Sequence, residues 1–408
     1  MTVTAPPRPP RRPNDPVTHD EFDALVEALI EEARQRGRRR RRRRGAIAIL
    51  VALVGVALFA LLGRSAQSQD ASSALSARSS LGAAANSKIA FTQSAGGGQG
   101  SGGLYVVNPD GSGKRRVVET AGHATPSWSP DGRRIVFQTR SGPGLSVVNA
   151  DGSGQQSLTI GNHTAWSPDG QRIAFGRAPT TSNADWDIFV MNADGSEQRR
   201  LVRHGTDPRW SPDGRTIAFV RRATLDGFNY DIYAVDGEGG PARSLTRSPA
   251  YENDPAWSPD GRRIAFVRGN DIWLMNADGS GQRRLTSGAA HDRAPNWSPD
   301  GRTIAFDRRV GSIHEIHVIN ADGSGQRRLA LGGYGRDGLW GHGGNAGPLW
   351  SPDGKKIAYL RALGNGPGFI APDNWEIFVM NADGTDQHNV TRNRRFDDCC
   401  LAWSPAQK

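Results

Sequence analysis

The sequence is poor in cysteine: it has two in 408 residues, and they are neighbours, Cys399 and Cys400. A small scaffold built on disulfides is therefore excluded. A bridge between adjacent residues would close a strained ring, so we expect two free, partly buried thiols. Apolar residues are not scarce, at 36%, and the chain carries 51 glycines and 25 prolines. This composition excludes a disordered chain and suits many short strands joined by tight turns.

A general basic surface is also lacking, although the formal net charge is +10. Residues 1–44 hold 12 arginines against 7 acidic residues, so half of the excess charge lies in that short segment. The other half is scattered along the rest of the chain. A basic face for nucleic acid is not supported, and we expect no nucleic-acid partner.

Only one long apolar run occurs, over residues 46–62, and an unbroken run of seven arginines precedes it at residues 38–44. With Gly45 and Gly63 the apolar run is about long enough to cross a bilayer core as a helix. The arginines on one flank predict a cytoplasmic N-terminus and an extracytoplasmic remainder. A cleaved signal peptide is the alternative, but the run is long for that role and no A-x-A triplet follows it closely.

The predicted organisation has five parts. Residues 1–19 form a disordered tail rich in proline and arginine, and residues 20–44 combine a cytoplasmic amphipathic helix with the polyarginine run. Residues 45–63 form a single transmembrane helix, and residues 64–87 form a flexible linker. Residues 88–405 form the repeat domain. The chain is therefore predicted to be a single-pass protein of the plasma membrane.

The strongest signal in the sequence is an internal repeat. The segment WSPDG occurs six times, and WSP occurs once more without the Asp-Gly; the tryptophans are Trp128, Trp166, Trp210, Trp257, Trp297, Trp350 and Trp403. Each WSPDG precedes an apolar triplet such as Ile-Ala-Phe, then a segment ending in a turn such as Asn-Ala-Asp-Gly, then a fourth segment. Because Asp-Gly turns separate short apolar segments, each repeat is predicted to be a four-stranded antiparallel unit.

Such a unit, repeated at about 40 residues, predicts an all-β fold, the β-propeller. The phase of the repeat sets the blade count. The first triplet, at Ile89, has no WSP before it, and the last WSP, at Trp403, has no triplet after it. We therefore predict seven four-stranded blades, in which residues 402–404 supply the missing inner strand to the blade that Ile89 begins.

The unit W-S-P-D-G-x-x-I-A-F, followed by D-I-[FYW]-x-M-N-A-D-G-S-G, resembles the repeat of the TolB-like propellers, relatives of the WD-type repeats. The resemblance covers roughly residues 86–405. Similar propellers form the N-terminal domains of some prolyl-oligopeptidase-type peptidases. The namesake of the family has six blades, so six is the alternative count here. It also lacks the membrane span predicted for this chain, so its partners are not carried over.

Candidate binding residues lie in the segments before each WSP, which propeller topology places at one mouth of the central channel. They are His123, His163, His204, Tyr251, Glu252, His291 and His342. No catalytic residue is predicted. The only cofactor considered is a divalent metal on His123, His204 and His291, because the arrangement resembles lyases of uronic-acid oligomers. The spacing from histidine to tryptophan varies, so the histidines cannot all converge.

The predicted function is non-catalytic: a membrane-anchored extracytoplasmic scaffold that binds an unknown protein or glycan. Insertions at residues 178–187, 331–349 and 362–375 favour recognition. A peptidase is not favoured, because the chain has no G-x-S-x-G nucleophile motif. Two alternatives stay open. One is a metal-dependent lyase or hydrolase of acidic sugars that uses a histidine-lined channel, and the other is a transmembrane sensor that relays binding to the cytoplasmic helix.

Overall fold

The computed structural model describes residues 87–95, 101–121, 125–139, 144–178, 186–223, 229–334, 347–363, 375–393 and 396–406. The chain divides into two compact units, Met1–Ala77 and Arg78–Lys408, and all described residues belong to the second. Within these ranges no helix has the length and apolar character needed to cross a membrane. The predicted tail, amphipathic helix, transmembrane helix and nearly all of the linker lie outside them and stay predictions.

The described residues form 28 strands. In chain order the first fourteen are β1 (Ile89–Ala95), β2 (Ser101–Val107), β3 (Arg115–Ala121), β4 (Ser127–Trp128), β5 (Arg134–Thr139), β6 (Gly144–Asn149), β7 (Gln156–Ile160), β8 (Asn162–Trp166), β9 (Arg172–Arg177), β10 (Asp187–Asn192), β11 (Arg199–Val202), β12 (Gly205–Trp210), β13 (Thr216–Arg222) and β14 (Tyr230–Asp236). The second fourteen are β15 (Arg243–Ser244), β16 (Glu252–Trp257), β17 (Arg263–Arg268), β18 (Asp271–Asn276), β19 (Arg283–Arg284), β20 (His291–Trp297), β21 (Thr303–Val310), β22 (Ile313–Asn320), β23 (Arg327–Tyr334), β24 (Leu349–Trp350), β25 (Lys356–Ala362), β26 (Trp375–Asn381), β27 (His388–Asn389) and β28 (Phe396–Trp403).

These strands make seven antiparallel sheets of four, which confirms the seven-bladed propeller. Blade 1 has the order β28-β1-β2-β3, and blades 2 to 7 take the remaining strands four at a time in chain order. The inner strands are β4, β8, β12, β16, β20, β24 and β28. Each inner strand contacts the next, and β28 contacts β4, so the inner strands form a closed ring. Closure leaves no blade without a neighbour on either side.

The apolar triplets explain why the blades pack face to face. In every described triplet the side chains alternate across the sheet, so the first and third residues face one neighbouring blade and the middle one faces the other. Ile89 and Phe91 pack against Ala358 of blade 7, while Ala90 packs against Ile135 and Phe137 of blade 2. All of these side chains are fully buried. Each interface therefore combines two large side chains of one blade with the middle residue of the triplet in the preceding blade, which is alanine in every blade except blade 2, where it is Val136.

The tryptophan indoles connect successive inner strands. The Nε1 atom of Trp166 donates 3.1 Å to the carbonyl oxygen of Ser127, the residue before the tryptophan of the previous blade. The same bond joins Trp257 to Arg209 and Trp297 to Ala256. It continues across the chain ends, where Trp403 donates to Leu349 and Trp128 donates to Ala402. The ring closure therefore uses the same bond as the junctions at Trp166, Trp257 and Trp297.

The two faces of the ring differ in their connections. On one face six of the seven inner strands end in a tight Ser-Pro-Asp-Gly turn, and the third and fourth strands join through turns such as Asn-Ala-Asp-Gly; we call this the tight-turn face. On the opposite face the second strand joins the third, and the fourth strand joins the next inner strand; we call this the long-connection face. All three insertions found in the sequence lie in connections on the long-connection face.

Candidate functional site

The inner strands carry a repeated backbone irregularity three residues before the tryptophan. In β8, β12, β16, β20 and β28 the register with the next strand shifts at this point. Five non-glycine residues there have φ between 49° and 57°; they are His163, Asp207, Asp254, Ala294 and Cys400. Positive φ costs free energy in a side-chain-bearing residue, and such bulges re-aim side chains. Strain repeated at one position around a ring marks a candidate functional site.

We call the seven residues at this position the axial ring. They are Thr125, His163, Asp207, Asp254, Ala294, Gly347 and Cys400. Ring members of adjacent blades approach one another closely. The Nδ1 atom of His163 lies 2.5 Å from Oδ1 of Asp207, and the backbone N of Ala294 donates 3.2 Å to Oδ2 of Asp254. A Cβ atom added to Gly347 would lie 2.4 Å from Cβ of Ala294.

Two carboxylates of the axial ring shape its electrostatics. Burial raises the pKa of Asp254, and the negative charge of Asp207 raises it further. Burial also raises the pKa of Tyr251 to about 12, with Asp254 and Asp207 as the next causes. Like charges held close in a partly desolvated site each disfavour ionisation of the other. The ring is therefore an acidic site, in which Arg209 and Arg293 offset part of the rise in the pKa of Asp254.

Aromatic side chains border the acidic part of the ring on blades 3 to 5. The ring of Trp186 meets His163 edge to face at 6.1 Å, and Tyr230 meets Tyr251 at 5.3 Å. A cavity of about 40 Å³ lies between Trp186, His204 and Tyr230, with Arg222 also in its wall. Its volume suits one small group, such as the end of a side chain. We call Trp186, His204, Tyr230 and Tyr251 the aromatic border.

The structure brings three of the seven predicted binding residues together at this place. His163 belongs to the axial ring, and His204 and Tyr251 belong to the aromatic border. His204 is exposed, and its backbone N donates 3.0 Å to Oδ1 of Asp187. His291 is exposed at the start of β20, away from the contacts of this cluster. His123 and His342 lie outside the described residues.

Glu252, a further predicted binding residue, has a structural environment. Its side chain is 0% exposed and accepts a hydrogen bond of 2.6 Å from Nε of Arg268 and another from the Thr246 hydroxyl. The corresponding acid of blade 6, Asp292, is paired in the same way with Arg308 through two bonds of 2.7 Å. A buried acid whose hydrogen bonds are already made within the propeller has little capacity left for a ligand.

A metal site finds no support among the described residues, where no group of three or more His, Cys, Asp or Glu side chains is arranged to hold an ion. His204 and His291 of the considered set belong to different blades, and His123 lies outside the described ranges. The Asp-Gly turns are occupied by their own bonds: Oδ1 of Asp151 accepts from the backbone N and the hydroxyl of Ser153. These carboxylates serve the turn, as the sequence predicts.

A larger cavity of about 330 Å³ opens at the end of the inner strands on the tight-turn face. Its wall comes from inner strands of blades 1, 2, 6 and 7, and includes Trp128, Asn296, Trp350 and Trp403. These tryptophans belong to the repeat that builds the ring, so the cavity is a consequence of the closed fold. It carries no ionisable side chain in its wall, and we assign the axial ring with its aromatic border as the candidate site.

Sequence reasoning missed most of the residues that make the cluster. Trp186, Asp207, Tyr230 and Asp254 were not among the predicted binding residues. The predicted binding residues were identified by residue type, whereas in the structure the residues that meet share one position in the repeat. A fixed offset of three residues from each repeated tryptophan would have identified the axial ring, because equivalent positions of a closed ring lie at the same height along its axis.

Comparison with known proteins agrees with the architecture. The sequence model of the TolB beta propeller domain matches residues 162–343 and 255–370, which together cover just over half of the 408 residues. Among curated proteins the sequence has no significant match.

Solved structures show the same fold at low sequence identity. TolB from Acinetobacter baumannii is 17% identical with a TM-score of 0.50, covering 83% of this chain and 86% of that one. An oligogalacturonate lyase in complex with manganese is 16% identical with a TM-score of 0.51, covering 74% and 84%. An oligogalacturonate lyase from Vibrio parahaemolyticus is 14% identical with a TM-score of 0.50 and the same coverage. At these identities the likeness concerns the fold alone.

Proposed function

The chain belongs to the TolB β-propeller family, and on that basis we propose that it is a membrane-anchored extracytoplasmic scaffold that binds a protein ligand without catalysing a reaction. The single observation that carries this proposal is the acidic axial ring with its aromatic border. It combines two neighbouring carboxylates in a partly desolvated environment with aromatic side chains of blades 3 to 5. Such sites recognise ligands through a few polar groups set among aromatic side chains.

The two faces of the ring support this choice of ligand site. The first described residues, Ser87 and Lys88, and the last ones after Trp403 lie on the tight-turn face, because Lys88 and Ser404 are hydrogen-bonded to each other. The described part of the chain therefore begins and ends on that face. The long-connection face carries neither of these ends, and a ligand can approach it without meeting them.

The charges at the site indicate which ligand chemistry fits. Asp207 and Asp254 repel each other, so a cation placed between them would lower the free energy of both. Trp186 and Tyr251 supply aromatic faces that also attract cations, whereas the guanidinium of Arg222 already lies over the ring of Tyr230 at 5.7 Å. We therefore propose that the protein ligand inserts a basic side chain or an amino terminus at the axial ring. An acidic sugar is a poorer fit because these carboxylates would repel it, which is why the lyase alternative is not our choice.

Crosslinking from defined positions tests which face binds. A photoreactive amino acid is placed at His204 or His291, both exposed on the long-connection face, and at Arg262 or Arg302, both exposed in turns of the opposite face. After irradiation of intact cells, we expect a discrete adduct of one size from the first pair of positions. Equal adducts from both faces, or none from His204 and His291, would contradict the proposal.

Charge neutralisation tests the chemistry of the same adduct. Asp207→Asn and Asp254→Asn, each combined with the crosslinker at His204, should reduce the adduct about tenfold. The matched control is Glu119→Gln, which removes one negative charge from a side chain that is 64% exposed on the outer strand β3. The control should leave the yield unchanged. Loss of the adduct in the control as well would show that net charge, rather than the ring, governs binding.

The membrane anchor rests on residues 38–64 of the sequence and is proposed on that basis alone. Proteolysis of intact cells or spheroplasts tests it: the propeller should be accessible from outside, while an epitope added before residue 20 should be protected. Recovery of the propeller in the soluble fraction would contradict the anchor. The sensor alternative adds one requirement, namely that deletion of residues 1–36 abolishes a cellular response while the crosslinked adduct persists.

A further inference from the structure

The two cysteines occupy a special place in the ring. Both lie in β28, the strand that closes blade 1, and Cys400 is a member of the axial ring. Neither cysteine forms a disulfide, as the sequence predicts, and both residues are partly exposed. The Sγ atom of Cys399 lies only 2.8 Å from Sγ of Cys400. Two sulfur atoms that approach this closely interact directly, although no covalent bond joins them.

The bulge of the inner strand brings these sulfur atoms together. In a regular strand, successive side chains point to opposite faces, so neighbouring thiols would be separated by the sheet. At this point the register between β1 and β28 shifts between Ala90 and Thr92, and Cys400 takes a φ of 57°. The turned backbone places both thiols on one side. The hydroxyl Oγ1 of Thr92 lies 3.0 Å from Sγ of Cys399 and orients that thiol.

The contact between the two sulfur atoms makes the pKa values of the two thiols different. The S–H group of Cys399 donates to the sulfur of Cys400, and this bond lowers the pKa of Cys400 even though burial opposes it. Burial, followed by the neighbouring Cys400, raises the pKa of Cys399 well above its usual value. The thiolate is the nucleophile in thiol–disulfide exchange. Cys400 is therefore the attacking sulfur, and Cys399 is in position to resolve the product.

We propose that Cys399 and Cys400 form a reversible redox site in the wall of the channel, which a small-molecule disulfide oxidises to an intramolecular disulfide. The Cys400 thiolate attacks one sulfur of the small disulfide, which forms a mixed disulfide and expels one thiolate that takes up a proton. The Cys399 sulfur, on losing its proton, then attacks the Cys400 sulfur and expels the second small thiolate. In balance, two protein thiols and one small disulfide give one protein disulfide and two small thiols.

The geometry makes the oxidised state easily reducible. Adjacent Cα atoms are about 3.8 Å apart, whereas disulfides usually join Cα atoms separated by about 4.4 to 6.8 Å. A bond closed outside that range is strained, and strained, accessible disulfides are the ones that thiol buffers reduce. The site therefore suits reversible modification rather than structural bracing. This inference does not depend on the ligand proposed above, and either can fail without the other.

The test uses the full chain in detergent, equilibrated with mixtures of oxidised and reduced glutathione and then quenched in acid. Because the chain has only two cysteines, intact mass and maleimide trapping report on this site alone. With excess oxidised glutathione we expect both thiols to disappear together, with a mass loss of two hydrogens. Excess reduced glutathione should restore both. Two persistent free thiols, or a glutathione adduct as the final product, would overturn the proposal.

A denatured sample and two variants show whether the fold is responsible for the reactivity of the two thiols. Chain unfolded in guanidinium chloride should form the disulfide at least about tenfold more slowly, because the thiol pair is no longer held in contact. Equal rates in the folded and unfolded chain would also overturn the proposal. Cys399→Ser should accumulate a stable glutathione adduct on Cys400, whereas Cys400→Ser should react about tenfold more slowly. If Cys400→Ser accumulated the adduct and Cys399→Ser reacted more slowly, the assigned roles would be refuted.

Discussion

Ile89 and Trp403 are register partners on adjacent antiparallel strands, although they belong to the first and last strands of the propeller. The pairing continues beyond the strand end, where the backbone N of Ser404 donates 2.7 Å to the carbonyl of Lys88. The indole of Trp403 then donates 3.0 Å to the carbonyl of Leu349 in blade 7. The C-terminal strand therefore holds two blades at once, which joins the ends of the ring without a covalent bond.

The closure bond of Trp403 should be measurable against Trp350. Both indoles are partly buried in inner strands, but Nε1 of Trp350 has no hydrogen-bond partner among the described residues. Trp→Phe keeps a ring at each position and removes the donor. We expect Trp403→Phe to lose about 1 kcal/mol more free energy of unfolding than Trp350→Phe, because only the first leaves a carbonyl without its bond. Equal losses in urea denaturation would contradict the role of the closure bond.

Asp254, which is half-buried, and Asp307, which is buried, should respond to neutralisation with opposite signs. Burial and the nearby Asp207 raise the pKa of Asp254, so its charge is a cost in the folded state. Burial alone would raise the pKa of Asp307 as well, but hydrogen bonds from His314 and Arg293 bring it below the usual value. At pH 8 we expect Asp254→Asn to raise the free energy of unfolding by up to about 1 kcal/mol.

Asp307→Asn should instead lower the free energy of unfolding by about 3 kcal/mol, because Arg293 and His314 then keep a buried pair without its carboxylate. The two variants make the same chemical change and serve as controls for each other. Thermal and urea denaturation at one pH provide the measurement. Equal destabilisation by the two variants would contradict the predicted difference between the electrostatic environments of Asp254 in the axial ring and Asp307 in blade 6.

The contact between Gly347 and Ala294 tests the packing of the axial ring. A methyl group at Gly347 would lie 2.4 Å from Cβ and 3.1 Å from the carbonyl oxygen of Ala294, so Gly347→Ala must displace an inner strand. We expect a loss of about 1 to 3 kcal/mol. Adding Ala294→Gly removes the clashing methyl and should recover most of that loss. Additive effects in this double-mutant cycle would show that the two positions do not touch.

Asp398 should give the protein a specific pH dependence. Burial is the main cause that raises its pKa from 3.8 to about 7. Between these two values the folded protein keeps a proton that the unfolded chain has released, so the free energy of unfolding falls as the pH rises and levels off above about pH 7. Asp398→Asn removes this dependence. The variant should gain about 3 kcal/mol relative to the wild type between pH 4 and pH 8.

The measurement is the difference in free energy of unfolding between the variant and the wild type across that pH range, so that all other titrating groups cancel. The Gln93 amide donates 2.7 Å to the Asp398 carboxylate, and the asparagine oxygen can accept the same bond. A difference that does not change with pH would mean that Asp398 titrates near its usual value. A wild type that becomes more stable from pH 4 to pH 7 relative to the variant would reverse the expected sign.

Much of the fold could be predicted because the same sequence repeat occurs in every blade. The Ile-Ala-Phe triplet carries the alternation that each blade interface needs, and the Asp-Gly turns carry the chain reversals. The offset between the lone triplet at Ile89 and the lone WSP at Trp403 was sufficient to predict seven blades and the shared first blade. These patterns are local, and each occurs several times. A departure from the pattern in one blade therefore does not change the predicted fold.

The candidate site was predicted only in part, because it depends on which backbone positions meet at the axis. His163, His204 and Tyr251 were found, but Glu252 proved to be paired with Arg268 inside its own blade. Asp207 and Asp254 stand 47 residues apart in the sequence, and nothing local relates their charges. Their mutual effect on ionisation exists only because neighbouring inner strands hold them close.

The sequence by itself determined the class of fold, the number of blades and the strand that closes the ring, because short-range turn chemistry and apolar alternation specify them. Only the tertiary structure decided which side chains face one another across blades. Closure turns seven equivalent positions into one ring, and the bulge there rotates side chains that a regular strand would separate. The acidic axial ring and the Cys399–Cys400 contact both arise from that closure, since distances between blades are set by packing and not by position along the chain.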